Sequence, residues 1–180
     1  MFNQSTNKLD TIVLVGAGIL QIPAIKIAQK MGLFVICTDH NPKALGFEYC
    51  DKKIILSAKD VQGHIKLVNK LSKKYNIRSI FTQGTDVAVV VAETCNKLNL
   101  PSVSVTAAKN TNNKIKFRRI LKKYGIQNTK FSVVKTKRGA YITTKKIGLP
   151  VIIKSIDNSG GRGAKKITHF DQINNAFKIA

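Results

Sequence analysis

The sequence predicts an α/β fold, with a parallel sheet covered by helices on both faces in the first part of the chain. Short apolar runs rich in Val and Ile alternate with longer segments whose apolar residues recur at helical spacing. A Gly-x-Gly turn at residues 16–18 joins the first apolar run to the first helical segment. After about residue 108 the pattern changes to lysine-rich helical segments and antiparallel strands. We therefore expect a domain boundary near this residue.

The first two strands and the helix between them are expected to form a βαβ unit. Residues 11–15 and 33–37 are continuous apolar runs. Isoleucines recur at helical spacing between them, and Pro23 falls in the first turn, where its missing N–H costs little. Because such a crossover joins parallel strands, the two runs should lie in one sheet.

Two further strand and helix pairs follow. Residues 51–56 and 77–81 predict strands, and helices are expected over 61–75, with Asp60 as N-cap, and over 87–98. Parallel sheets bind ligands beyond the carboxyl ends of their strands. A substrate crevice is therefore expected where the first and fourth strands end. Its candidate residues are Gly16, Gly18, Gln21, Gln83, Gly84 and Thr85.

The second part of the chain predicts a mixture of helices and strands. The expected elements begin with a lysine-rich helix over 109–124, a strand over 131–135 and a short helix within 136–148. A strand over 151–153 is then expected to pair antiparallel with a second strand that includes Ile167, and a last helix follows over 172–180. Asp171 is expected to cap the last helix.

Composition limits the class of protein. Hydrophobic residues make up 43% of the 180 residues, which is enough for a buried core. No run reaches about 18 uncharged apolar residues, so we expect no membrane span. The polar N-terminus lacks the apolar region of a signal peptide, and the three cysteines form no Cys-x-x-Cys pair. Reduced thiols and a cytoplasmic location are expected.

The formal net charge of +22 has two interpretations. A basic protein can bind nucleic acid or an anionic membrane. The lysines are, however, spread along the chain among many Asn and Ile residues, which is typical of a compositional bias of the source. We favour the second interpretation and expect neither nucleic acid nor a membrane as partner. The charge favours small anionic ligands such as nucleotides.

The Gly-x-Gly turn suggests a NAD or FAD site, but the sequence weakens this hypothesis. Asp39 follows the second apolar run, where a dinucleotide-binding fold places the acid that binds ribose. The fingerprint needs a third glycine, and Gln21 stands in its place. Dinucleotide binding is therefore the minor interpretation.

A second glycine-rich stretch follows the strand predicted over 151–153. Lys154 ends this strand, and a loop of Ser, Gly and Arg occupies residues 159–163. Glycines let the backbone fold over a ligand and direct N–H groups at an anion such as phosphate. The stretch lacks the Lys-Ser/Thr of a Walker motif and continues as a strand rather than a helix. It is either a phosphate-covering flap or an ordinary hairpin turn.

The order of these elements resembles the ATP-grasp superfamily, and within it the carbamoyl-phosphate synthase, biotin carboxylase and purine-biosynthesis carboxylase branches. The parts that carry the likeness are residues 16–21 with 39–42, residues 83–101, residues 113–126 and residues 149–163. The last is the most specific, because it combines a strand, a lysine and a glycine-rich flap. The resemblance implies a Rossmann-like pre-ATP-grasp domain over 1–108 and an incomplete α+β ATP-grasp subdomain over 109–180.

The resemblance also implies roles for individual residues. Members are ATP-dependent carboxylate-amine ligases, which form an acylphosphate from a carboxylate or bicarbonate and let an amine displace the phosphate. Lys154 and Lys114 would contact the ATP phosphates, and the loop would close over them. The residues assigned to ATP are Lys114, Lys154, Ser159, Gly160, Gly161 and Gly163. The crevice residues would then bind the small carboxylate or bicarbonate.

No metal site or catalytic residue is predicted in this sequence. After residue 108 the only acids are Asp157 and Asp171, so the paired carboxylates that hold Mg²⁺ cannot be assembled there. The family carries its Mg²⁺ ligands further downstream. We expect the chain alone to be inactive, either as a truncated product or as one half that needs a complementary C-terminal chain. The alternative is a non-catalytic α/β module that binds nucleotides or polyanions.

Overall fold

The computed structural model describes residues 8–158 and 160–180. Contacts divide the chain into two compact units, of which the first ends at Lys109 and the second begins at Asn110. The assignment of each unit to a named domain stays a prediction. Within the described residues, no helix combines the length and the apolar character needed to cross a membrane.

The first unit contains a four-stranded parallel sheet in the order β3-β2-β1-β4. The strands are β1 (Asp10–Val15), β2 (Phe34–Asp39), β3 (Lys52–Ile55) and β4 (Asn76–Phe81). β1 is one of the two inner strands, since Val13 pairs with Ile36 of β2 on one side and with Ile80 of β4 on the other. The expected parallel sheet is confirmed.

Three helices cover this sheet. They are α1 (Ile22–Lys30), α2 (Val61–Leu71) and α3 (Ala88–Lys97), and short 3-10 turns occupy Ile19–Gln21 and Leu45–Glu48. Asp60 caps α2 as predicted, because its carboxylate accepts a hydrogen bond from the Gly63 N–H at 2.8 Å. α2 ends at Leu71 rather than at residue 75, and the Ser72 hydroxyl donates to the Val68 carbonyl at the end of the helix.

Alternate side chains of the strands enter two separate cores. Val13 and Ile36 pack with residues of α2 and α3 on one face. Leu14 and Val35 pack with Ile25 of α1 on the other. This alternation is what a sheet with helices on both faces requires. Because the four strands are parallel, their carboxyl ends lie at the same edge of the sheet.

The second unit combines helices with one antiparallel strand pair. Its elements are α5 (Lys114–Lys123), α6 (Lys137–Ile147), β5 (Val151–Ile153), β6 (Lys165–Ile167), a 3-10 turn (Phe170–Gln172) and α7 (Ile173–Ile179), and α4 (Val105–Asn112) precedes them across the boundary. Val151 pairs with Ile167, so the predicted antiparallel pair is confirmed. Its core is small, with Ala140, Ile167 and Ile173 buried together.

The single lysine-rich helix predicted over 109–124 is wrong. Asn113 interrupts it with an extended backbone, and its side-chain oxygen accepts hydrogen bonds from Ile115 N at 3.1 Å and Lys116 N at 3.0 Å. This is N-cap geometry, so α4 ends before Asn113 and α5 begins after it.

Two further predictions for this unit are wrong. The structure assigns no strand to residues 131–135, whose side chains up to Val134 line a cavity instead of pairing in a sheet. Asp171 does not cap the last helix, because it lies inside the 3-10 turn that precedes α7. His169 holds the cap position there, and the Gln172 side chain accepts from its N–H at 3.4 Å.

Candidate functional site

The Gly-x-Gly turn after β1 is occupied by groups of the protein itself. The Ala17 N–H donates to Asp39 Oδ2 at 2.9 Å, and the Ala17 carbonyl accepts from the Gly46 N–H at 2.7 Å. A Cβ atom on Gly46 would lie only 2.7 Å from that carbonyl oxygen, so glycine is what allows the turn Leu45–Glu48 to approach. Ala17 is fully buried as a result.

This arrangement argues against a dinucleotide site. Asp39 accepts backbone hydrogen bonds through both oxygens, from Ala17 N and from Asn41 N at 2.9 Å. Both oxygens of its carboxylate therefore stabilise the turn, and neither is left to accept a hydrogen bond from a ribose hydroxyl alone. The turn amide that a pyrophosphate would need is also taken. The sequence placed Asp39 correctly at the strand end, but the residue has a structural role there.

The six predicted crevice residues lie together at the ends of β1 and β4. Gln21, which is only 4% exposed, donates a hydrogen bond from Nε2 to the Gln83 carbonyl. The same side chain lies beside Gly18, where an added Cβ atom would be 3.0 Å from Gln21 Oε1. Thr85 adjoins Gly16, and Gly84 adjoins Leu20 and Gln21. Gln21 thus links the two turns in the position that a third glycine would leave empty.

The Thr85 hydroxyl is used by the fold. Its oxygen lies 2.7 Å from Thr82 Oγ1, which donates to the Val15 carbonyl at 2.8 Å. The Val87 N–H donates to Thr85 Oγ1 at 3.4 Å. These bonds fix the turn after β4 against the end of β1. Gln83 and Gly84 are exposed at this turn and form its accessible surface.

The second unit contains a cavity of about 440 Å³. Apolar side chains form much of its wall, among them Ile115, Phe131, Val133, Ile147, Val151 and Ile153. Four cationic residues also line it, namely Lys114, Arg118, Lys130 and Lys154, and none of the described lining residues is acidic. An apolar cavity with convergent cations can bind a ligand that has a flat apolar part and an anionic part.

Lys154 and Lys114, both assigned from sequence, lie at this cavity. Lys154 directly follows β5 and is exposed. Lys114 is the first residue of α5, and its backbone N–H donates to the Ile156 carbonyl at 3.1 Å. Its Nζ atom donates to the carbonyls of Ile156, at 3.3 Å, and of Asn158. Lys114 therefore ties the start of α5 to the segment that enters the glycine-rich loop.

The glycine-rich loop between β5 and β6 needs its glycines. Gly160, Gly161 and Gly163 have φ angles of 63°, 74° and 71°, a region that other residues rarely adopt. Gly163 is also packed, because an added Cβ atom would lie 3.2 Å from the Ile179 carbonyl and 3.3 Å from Ser155 Oγ. The sixth predicted ATP residue, Ser159, lies outside the described residues.

Three residues of the cavity were missed by sequence reasoning. Arg118 lies one helical turn after Lys114, so the spacing of four residues was a usable signal. Lys130 lies in an irregular segment and gave no signal. Ser155 directly follows Lys154, and its hydroxyl is buried without a hydrogen-bond partner among the described residues. Such a group is available for a ligand.

A metal centre is not formed by the part of the chain that the structure describes. No group of three or more His, Cys, Asp or Glu side chains in it is arranged to hold a metal ion. In the second unit Asp157 and Asp171 are both exposed, and neither lines the cavity. The oxygen ligands that Mg²⁺ prefers are therefore not provided here, and no reaction step is assigned to the metal.

Comparisons with known sequences agree with this picture. Residues 113–180 match the family model described as carbamoyl-phosphate synthase L chain, ATP binding domain. The chain is 26% identical over 169 residues to the formate-dependent phosphoribosylglycinamide formyltransferase of Methanocaldococcus jannaschii. This alignment covers 93% of the chain and 43% of the relative. It is 24% identical over 194 residues to the carbamoyl phosphate synthase large chain of Clostridium botulinum, covering 96% of this chain and 18% of the relative.

Solved structures share the fold over nearly the whole chain. The N5-carboxyaminoimidazole synthetase of Staphylococcus aureus, complexed with ADP, gives a TM-score of 0.75 at 24% identity and covers 97% of this chain and 46% of that one. The biotin carboxylase domain of the 2-oxoglutarate carboxylase of Hydrogenobacter thermophilus, complexed with MgADP, ADP and bicarbonate, gives 0.72 at 15% identity, with coverages of 97% and 42%. The chain thus spans less than half the length of these relatives. The resemblance to the ATP-grasp superfamily is confirmed, and residues 113–180 match an ATP binding domain of that superfamily.

Proposed function

We propose that this chain is the ATP-binding amino-terminal portion of an acylphosphate-forming carboxylate-amine ligase. The observation that carries the proposal is the cavity of the second unit, where Lys114 and Lys154 converge beside an apolar wall and the base of a glycine-rich loop. The apolar wall suits a nucleobase, and the cations suit the phosphates. The similarity of residues 113–180 to an ATP binding domain supports ATP as the ligand of this cavity.

Each assigned residue has a physical task in this proposal. Lys154 contacts the phosphates, since within the described residues no hydrogen bond or ion pair engages its ammonium. Lys114 holds the entry of the loop and directs its remaining N–H toward the same anion. The backbone N–H groups of Gly160, Gly161 and Gly163, together with Ser159, close over the phosphates and exclude water.

The charge of the second unit favours a highly anionic ligand. From residue 110 onward the sequence contains seventeen Lys and Arg residues and two acids. A potential of this sign attracts ATP and stabilises the charge that develops during phosphoryl transfer.

The six crevice residues of the first unit are proposed to bind the small carboxylate or bicarbonate. The exposed side chain of Gln83 supplies an amide donor for such an anion, while Gln21 and Thr85 hold the two turns in place. One related protein is a formate-dependent formyltransferase and one related structure contains bicarbonate, and these two anions define the class of substrate to be tested. The first unit then corresponds to a Rossmann-like pre-ATP-grasp domain over 1–108, and the second to part of an ATP-grasp domain over 109–180.

The residues described here are proposed to be insufficient for catalysis. Ligation in such enzymes uses Mg²⁺, and the described acids do not form a site for it. A complementary C-terminal segment or chain would supply the carboxylates. A cytoplasmic location remains the prediction made from the sequence.

A nucleotide series tests this function. Calorimetric titration of the 180-residue chain with ATP, ADP and AMP should show affinity falling with each phosphate removed, because the cations act on phosphates. Equal affinities for ATP and AMP would contradict the phosphate assignment. The chain incubated with Mg-ATP and formate or bicarbonate should release no phosphate above the blank, and release by the chain alone would contradict the proposed inactivity.

A polyanion-binding module is the alternative function, favoured by the seventeen basic residues from residue 110 onward. It predicts tight binding of duplex DNA with an affinity that falls steeply as salt increases. Fluorescence anisotropy of a labelled duplex at two salt concentrations distinguishes the two functions. Under the ligase proposal, the chain binds the duplex weakly, and added ATP does not displace the duplex from a specific site.

A further inference from the structure

One polar atom of the second unit is buried beside the cavity without a partner. Ser155 lines the cavity, yet its Oγ atom has less than 1 Å² of exposed surface and no hydrogen-bond partner among the described residues. A Cβ atom added to Gly163 would lie 3.3 Å from this oxygen, so the end of the glycine-rich loop lies next to it. A buried hydroxyl that forms no hydrogen bond costs free energy of folding, so its place here needs an explanation.

The position of Ser155 in the chain places its hydroxyl close to both proposed phosphate contacts. Exposure alternates from residue 151 to residue 156, and Ser155 belongs to the less exposed set, which explains its burial. Lys154 directly precedes it. Ile156 directly follows it, and its carbonyl accepts hydrogen bonds from the backbone N–H and the ammonium of Lys114. Ser155 therefore lies between the residue that carries one cation and the residue that binds the other.

The hydroxyl of Ser155 can turn toward a ligand without breaking a bond. Two of the cations that line the cavity spend donors on the protein, since Lys114 donates to two backbone carbonyls and Arg118 donates to Asn128 Oδ1. Ser155 spends none among the described residues. Rotation about its χ1 angle moves Oγ between staggered positions, and the hydroxyl then has one O–H to donate.

We propose that Ser155 is a further binding residue of this cavity, and that its hydroxyl donates a hydrogen bond to a phosphate oxygen of the bound nucleotide. An anionic oxygen is the acceptor that this surface attracts, because four cationic residues and no acidic residue are among the described residues that line the cavity. This contact rests on the proposed function, since the cavity is taken to be the nucleotide site. It adds a neutral donor to the two lysines.

Removal of the hydroxyl should affect binding and not folding. In the chain without ligand Ser155→Ala removes no hydrogen bond, so the midpoint of chemical denaturation should stay unchanged or rise. In the complex the variant lacks a donor to a charged group, so the dissociation constant for ATP should increase at least about tenfold. A residue with a structural role alone would give the reverse, namely a lower midpoint and an unchanged affinity for ATP.

Thr94 provides the matched control. Its Oγ1 atom is also buried without a hydrogen-bond partner among the described residues, but it lies in α3 of the first unit and does not line the cavity. Thr94→Val removes this hydroxyl with little change of shape, so the denaturation midpoint should not fall and the affinity for ATP should equal that of wild type. An equal loss of ATP affinity in Thr94→Val and Ser155→Ala would overturn the contact.

Calorimetric titration of the 180-residue chain with Mg-ATP and with tripolyphosphate tests the contact directly. Tripolyphosphate carries the phosphate chain without base or sugar, so it measures the phosphate contact separately from the assignment of the cavity to ATP. Both ligands should bind Ser155→Ala at least about tenfold more weakly than wild type and Thr94→Val. A loss for ATP without a loss for tripolyphosphate would overturn the phosphate contact.

The same titrations separate failure of this contact from failure of the proposed function. Equal affinities of wild type and Ser155→Ala for both ligands, with ATP binding still weakened in Lys154→Ala, would overturn the contact and leave the function standing. Wild type that binds tripolyphosphate but not ATP would overturn the function, and the tripolyphosphate affinity of Ser155→Ala would then decide the contact. Wild type that binds neither ligand would overturn both.

Discussion

The Lys114 Nζ atom lies 3.3 Å from the carbonyl oxygen of Ile156, four residues before the first glycine of the loop. It also donates to the Asn158 carbonyl. An ammonium group has three N–H donors, so one remains for a phosphate oxygen after both carbonyls are bonded. The same side chain can therefore order the loop entry and contact the ligand. This dual task distinguishes Lys114 from Lys154.

Lys114→Ala should weaken ATP binding and loosen the loop entry at the same time. The expected loss of affinity is about tenfold or more, because hydrogen bonds of a charged group contribute about 1.5–3 kcal/mol. Hydrogen exchange of residues 155–158 should become faster in the absence of ATP. Lys116→Ala is the matched control, since Lys116 is exposed on the same helix and does not line the cavity. Similar effects from both variants would refute the dual task.

Gly46→Ala should destabilise the first unit through a backbone clash. The added Cβ atom would meet the Ala17 carbonyl oxygen at 2.7 Å, so the turn must move away from the Gly-x-Gly turn. We expect a loss of about 2–3 kcal/mol in the free energy of unfolding. Gly32→Ala is the control, because Gly32 has a φ of 79° but nothing within 4 Å of the added atom. It should cost about 1 kcal/mol from backbone strain alone. Chemical denaturation measures both, and a smaller loss for Gly46→Ala would contradict the close approach.

Acidification should destabilise the first unit through His64. This side chain is fully buried, Nδ1 lies 2.7 Å from the Asp60 carbonyl, and Nε2 lies 3.0 Å from Thr38 Oγ1. Burial lowers the pKa of His64 from its ordinary 6.5. On acidification the unfolded chain therefore binds a proton at His64 before the folded chain does. The free energy of unfolding keeps this contribution above about pH 6.5 and loses it as the pH falls toward the lower pKa of His64 in the folded chain.

The slope of the unfolding free energy against pH cannot exceed about 1.4 kcal/mol per pH unit when a single proton is bound. Unfolding free energies measured between about pH 7 and pH 5 should show this slope in wild type and in His169→Gln, whose side chain is exposed. His64→Gln should lower the stability at pH 7 and flatten the slope. An unchanged slope in His64→Gln would assign the pH dependence to other groups.

Ile167→Ala should destabilise the second unit selectively. Ile167 is 1% exposed in the small core beneath α6 and α7, so truncation leaves a cavity and costs about 2–5 kcal/mol. Ile152→Ala, on the adjacent strand β5, removes a side chain that is 63% exposed and should cost much less. Hydrogen exchange of α7 and of α2 separates the units: α7 should lose protection in Ile167→Ala, and α2 should not. Loss in both helices would show that the units unfold together.

The parallel sheet was predictable because its two inner strands, β1 and β2, are buried and have continuous apolar sequences. The rule that ligands bind beyond strand ends also predicted that Gln21 and Gln83 lie in one crevice. The two residues are far apart in the sequence and are hydrogen-bonded in the structure. Asp60 was identified as a cap because a carboxylate directly before an amphipathic segment can accept a hydrogen bond from the first turn of the helix, which is a local feature of the sequence.

The failures arose where local pattern and tertiary context disagree. Apolar residues over 131–135 resemble a strand, but they contact a cavity rather than a partner strand. Asn113 was a signal that the lysine-rich pattern concealed, since an N-cap can begin a new helix within a continuous run. The structural use of Asp39 depends on its contact with Ala17, twenty-two residues earlier, which no local pattern specifies.

The most direct test is calorimetric titration of Mg-ATP into wild type, Lys154→Ala and Lys166→Ala. Lys166 is exposed on β6 and does not line the cavity, so it removes the same charge without the proposed contact. Loss of a charge-assisted hydrogen bond predicts a dissociation constant roughly 10- to 100-fold higher for Lys154→Ala, with Lys166→Ala close to wild type. Equal weak heats for wild type and Lys154→Ala would contradict the assignment of this cavity to the phosphates of ATP.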